Sequence, residues 1–140
     1  MDMSPIIGRL EILKPATFRR VAGALELAAV KSVAPQQSPA LFVIPAAESA
    51  SRPGLITDFR QTVRTAFEVV IAVRAVNDPT GAAGADAVEA CRAAVRASLL
   101  GWLPPDAFEP IEFVRGALVD LSDATVWWSD QYALTHHITA

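Results

Sequence analysis

From Gln61 to Val76 the chain reads QTVRTAFEVVIAVRAV, and its odd positions Val63, Phe67, Val69, Ile71 and Val73 are apolar with only Thr65 interrupting the row. Arg64, Glu68 and Arg74 occupy even positions, which is the two-residue period of a strand buried on one face. At 3.6 residues per turn the same apolar residues would scatter around a helix, and β-branched side chains favour strands, so this stretch is the expected central strand. Ala66, Val70 and Ala72 soften the polar face, which implies partial cover by a helix or by a neighbouring subunit.

Upstream, Ser4 followed by Pro5 marks a helix start, since Ser accepts from open backbone donors and Pro is tolerated in the first turn. Ile6, Ile7, Leu10 and Leu13 follow at helical spacing until Pro15 ends the run. Phe18 and Val21 suit a brief extended segment, and Ala24 to Lys31 reads as helix from its Ala, Leu and Glu content. Pro35 to Pro39 forms a loop, and Ala40 to Ala46 (ALFVIPA) a strand in which Pro45, lacking a donor, belongs near the end or on an outer edge. Glu48 to Phe59 mixes Ser, Pro, Gly and both charge signs without a period. It is expected to be a long exposed loop, of the kind that serves function or orders on a partner.

Beyond the central strand, Asn77 to Gly84 is a cluster of breakers, and Ala85 to Leu100 is the best helix of the chain. Val88, Cys91, Val95 and Leu99 line one side of it, Asp86 and Glu89 stand in the early turns, and Gly101 is the expected cap. Its many alanines predict close approach to a sheet. Ile111 to Thr139 reads as two strands joined at Ser122-Asp123-Ala124, with adjacent Trp127 and Trp128 pointing to opposite faces and implying cover on both. The expected fold is α+β, a mostly antiparallel four-stranded sheet with helices packed on one side, in the order α-(α)-β-β-α-β-β.

A chain of 140 residues fits one domain, 1–140, and buries roughly 68% of its extended surface, enough to fold without metal or disulfide. Hydrophobic residues make up 52% and no apolar run reaches the length of a membrane span, so no membrane partner is expected and assembly in the cytosol fits. One cysteine excludes an internal disulfide, and a net charge of −3 argues against general nucleic-acid binding. His136 and His137 diverge on a strand and read as a solvated tail rather than metal ligands, and Cys91 as a small buried hydrophobe rather than a nucleophile. Asp120, Asp123 and Asp130 flank the hairpin, where turn chemistry outweighs a carboxylate site. Arg60, Arg64 and Arg74 read as a solvated face. There is no phosphate loop and no aromatic-basic interleaving. The expectation is therefore no catalytic, cofactor-binding or metal site and no cofactor, which leaves assembly, by pairing sheet edges or by packing the uncovered face, as the leading function and a small enzyme or ligand-binding domain using the carboxylates near Asp120 to Asp130 as the alternative.

Four segments together resemble the tail terminator, or tail-completion, proteins of long-tailed phages and phage-like particles, gene transfer agents included. They are PALFVIP at Pro39 to Pro45, QTVRTAFEVVIAVR at Gln61 to Arg74, LLGWLPP at Leu99 to Pro105 and FVRGALVDLSDATVWWSDQY at Phe113 to Tyr132. The resemblance implies a structural virion protein at the head-proximal end of the tail, assembled in the host cytoplasm and without enzyme activity. It implies a hexameric ring that stops tail-tube polymerisation, meets the tail tube protein and a head-tail connector or neck protein, and leaves its lumen free for DNA. Loops Glu48 to Phe59 and Asn77 to Gly84 would be candidates for ring or tube contacts. Another small tail or neck component, a tube subunit or connector, is the nearest alternative.

Overall fold

The computed structural model describes the chain except residues 25–26, 28–37, 55–57, 75–81 and 123. Its elements are α1 (Ser4–Glu11), β1 (Arg20–Ala22), β2 (Ala40–Ala50), β3 (Arg60–Arg74), α2 (Ala82–Leu99), β4 (Glu112–Ser122) and β5 (Thr125–Thr139). The strands form one sheet in the order β1-β2-β3-β5-β4, antiparallel except for β1 beside β2. The α+β class holds, but the sheet has five strands rather than four. The extra one is β1, three residues at the Phe18–Val21 segment, too short to leave a period and held by its parallel pairing with Ala40 to Phe42.

β3 has the burial its alternation predicts. Val63, Thr65, Phe67, Val69, Ile71 and Val73 are buried, and on the opposite row Arg60, Arg64 and Arg74 are exposed. From Phe67 to Val73 the odd row packs with Leu41 and Val43 of β2 and Tyr132 and Leu134 of β5, joined by Ile6 and Leu10 of α1 and by Val88, Cys91, Val95 and Leu99 of α2. A smaller second core lies on the other side, where Leu27 covers Phe42, Val70, Ala72 and Trp127. The even row of β3 is thus covered at one end only. The helix expected at Ala24 to Lys31 lies largely outside the described residues.

Other local readings shift by a few residues, each for a physical reason. The residue flanking α1 is Met3, not Ser4; Asp2 accepts from the Ser4 amide at 3.0 Å and its hydroxyl at 2.8 Å, which holds the Asp2 carboxyl below its usual value. β2 continues through Glu48 to Ala50, residues expected in the long loop, because β3 pairs with them as far as Val63. Pro45 falls in mid-strand, and the ladder accommodates it with a bulge between Pro45 and Ala47, on an edge that β1 leaves uncovered. α2 starts at Ala82, so Gly84 lies inside it, and it ends on Gly101 at φ +81°, the left-handed cap that a Cβ disfavours. Arg9 of α1 donates to the Ser98 carbonyl at 2.6 Å and lies 4.6 Å from the Trp102 ring centre, fastening α1 to the end of α2.

Candidate functional site

β4 is the outer strand of the sheet, and every side chain placed on it from Glu112 to Leu121 is exposed. Its composition is not that of a wetted edge. Phe113, Val114, Leu118, Val119 and Leu121 are all exposed, Leu118 at 54% and Leu121 at 68%. The register puts Phe113, Gly116, Leu118 and Leu121 opposite Tyr132, Asp130, Trp128 and Val126, on the side that carries the helices. Ala117 and Arg115 lie opposite Ser129 and Gln131 on the other side. There, with Val119, Ile44 and Glu68, they rim a shallow cavity of about 250 Å³. Bulges at Phe113/Arg115 and Leu118/Asp120 bend the strand. An edge strand with free backbone groups and apolar side chains on both faces is a template for another strand.

An ion pair between α2 and β5 lies beneath this edge. Asp130 of β5 is fully buried and accepts from Arg92 Nε at 2.9 Å and 3.2 Å and from Trp128 Nε1 at 2.8 Å. Arg92 reaches down from α2, lies 4.6 Å from the Trp128 ring centre and also pairs with Glu89 at 3.1 Å. The Asp130 hydrogen bond, foremost, pushes the guanidinium further above its ordinary value, so it stays charged. The Gly116 backbone closes over this group: a Cβ there would run into the Asp130 carboxylate and come within 3.0 Å of Arg92 Nη2 and 3.2 Å of Trp128 Nε1. A glycine in mid-strand marks this close approach.

The model of the phage tail terminator protein family matches residues 1–140. This chain belongs to that family. Tail terminators are structural components of the virion tail and not enzymes. Among solved structures, a chain of the "Virion of native gene transfer agent (GTA) particle" is similar at a TM-score of 0.49 and 15% identity, over 76% of this chain and 74% of that one. Comparison with curated protein sequences gives no match.

The residues weighed for chemistry in this tail terminator are dispersed, and no group of three or more His, Cys, Asp or Glu side chains that could hold a metal occurs among the described residues. Asp120 accepts from the Leu121 amide at 2.8 Å, as turn chemistry predicts, and Asp123 lies outside the described residues. Asp130 departs from that reading, because it serves the Arg92 pair far from the turn. His136 departs from the solvated-tail reading: it is buried, with Nε2 2.9 Å from Thr65 Oγ1 and 4.0 Å from Glu48. Glu48 also accepts from Thr65 and from the amino group of Met1, and these bonds, the amino group's first, hold its carboxyl below the usual range. His137 points away and stacks on Phe108 at 4.2 Å. Cys91 is buried, and burial pushes its thiol up, away from reactivity. Arg64 is exposed but paired with Glu112 across β5. Of the two candidate contact loops, part of each lies outside the described residues, and the first is shortened by the extension of β2.

Proposed function

We propose that this tail terminator, acting as one domain over residues 1–140, assembles into a hexameric ring at the head-proximal end of the tail. The ring caps the tail tube, stops its polymerisation, presents a surface to a neck or connector protein and leaves the lumen open for DNA. The observation that carries this reading is β4: a monomer with Leu118, Val119 and Leu121 standing in water along an unpaired edge is incomplete by itself. Family membership supplies the setting, the virion tail.

Mass photometry of the purified protein, alone and with tail-tube ends, tests it. The expected result is a discrete ring and, in a tube-growth reaction, shorter tubes as its concentration rises. A strictly monomeric species at micromolar concentration with tube ends present overturns the ring. Long filaments of this protein by itself would instead make it a tube subunit.

A further inference from the structure

Among the described residues the sheet has two free edges, and they fit each other. On one side lies β4. On the other, β1 pairs only with Ala40 to Phe42, so among the described residues the outer edge of β2 is open from Val43 to Ala50. We infer that β4 of one copy adds antiparallel to the Val43–Ala50 edge of a second copy, head to tail, and that this strand addition is the contact that builds the ring. Pairing of this kind presupposes the ring proposed above.

Direction, register and side chains all favour it. β2 runs opposite to β3, β3 to β5 and β5 to β4, so β4 set beside β2 of the next copy continues the antiparallel alternation. Because β1 blocks the start of β2, the incoming strand is displaced along it. The middle of β4 lies level with Ser129, while the middle of the open stretch, followed through Ala66, lies level with Ala133, four residues further along β5. An even displacement keeps the helix-bearing faces of neighbouring copies on one side, and an odd one would invert them. Four residues of stagger across β2, β3, β5 and β4 tilts the strands by about 35°, at spacings of roughly 3.3 Å along and 4.8 Å between strands, which is the tilt a closed barrel requires. At this register Ala117 faces Ala47 and, past the bulged Ala46, Leu118 faces Pro45, small or apolar side chains on both strands. Pairing β4 with β4 about a two-fold axis would leave both β2 edges open; the head-to-tail arrangement uses both edges, and a ring results where the rotation between copies closes.

Two sets of variants test the pairing by non-reducing electrophoresis and mass photometry. Ala47→Cys with Ala117→Cys is expected to give a ladder of disulfide-linked multimers on mild oxidation. Neither single variant should cross-link, and Ala47→Cys with Leu121→Cys, four residues out of register, should yield at least tenfold less. Val119→Lys with Leu121→Lys places charge on exposed positions of the edge. It should reduce the particle mass to that of one chain while the melting temperature of the folded protomer is retained. If the wild type forms a discrete ring but no ladder appears, or the double lysine variant still assembles, the edge pairing is wrong and the ring stands on other contacts. A dimer cross-linked through Ala117→Cys alone overturns the head-to-tail arrangement in favour of the two-fold one. A wild type that stays monomeric beside tube ends defeats the ring and this contact with it.

Discussion

Arg92→Met removes the guanidinium from the pair, and with it the contact over the Trp128 ring, while keeping an unbranched apolar stem. Asp130 is then fully buried without a cation, and removing one partner of a buried pair typically costs about 3–5 kcal/mol. The lower end applies here, because Arg92 itself is 17% exposed and the Trp128 indole still donates to Asp130, so about 3 kcal/mol is expected. For a chain of this size that corresponds to a melting temperature lower by roughly 10 °C. The diagnostic measurement is a double-mutant cycle with Asp130→Asn, read by thermal melting at fixed protein concentration. The neutral amide has no unpaired charge to bury, so Arg92→Met should cost much less in that background, with a coupling of at least about 1.5 kcal/mol. If the two losses simply add, or if Arg92→Met alone shifts the melt by less than about 3 °C, the pair does not hold the edge strand and the electrostatic reasoning fails.

Gly116→Ala should be costlier than its size suggests, about 2–3 kcal/mol, because the new methyl meets the Asp130 carboxylate and the indole nitrogen of Trp128; wild-type chemical denaturation would refute the contact. Tyr132, the only tyrosine, has a fully buried hydroxyl with no hydrogen-bond partner among the described residues, so Tyr132→Phe should be neutral or stabilising by up to about 1 kcal/mol in urea unfolding. Burial first, and Asp130 second, raise this phenol above its ordinary 10.0. The unfolded chain therefore sheds the proton first, stability falls as the pH rises through 10, and the phenylalanine variant should lack that part of the loss. Ala124 closes the β4–β5 hairpin at φ +54°, a conformation that glycine adopts without strain; Ala124→Gly should raise stability by about 0.5–1 kcal/mol, and a lower melting temperature would count against the strained turn.

Most of the layout was legible because it is written in local periods. The odd row of β3 and the Val88, Cys91, Val95, Leu99 stripe of α2 each bury one face of a regular element, and glycine, as at Gly101, is the residue type that best suits a left-handed cap. What escaped depends on contacts distant in sequence. β1 has too few residues to carry a pattern, and the far half of β2 is Ala, Glu and Ser that only pairing with β3 makes extended. His136 is buried because β5 lies beside β3, which no neighbour in sequence announces. The candidate site was half legible. The apolar run FVRGALVDL before a turn reads as a strand but does not say that it is outermost, and Arg92 and Asp130 meet across 38 positions. Gly116, an unexpected glycine in a strand interior, was the available signal.

The strand order has a consequence for how the molecule is made. β5 is synthesised after β4 yet lies inside it, zipped to β3 along its whole length from Thr125 to Thr139. A nascent chain halted after β4 but before β5 therefore leaves the β3 and β4 edges that β5 would join both unpaired, with nothing between them. The sheet is complete only once β5 has been made. It is finished from the inside by its last-made strand, and premature truncation in that strand should send the product into aggregates rather than into a smaller folded protein.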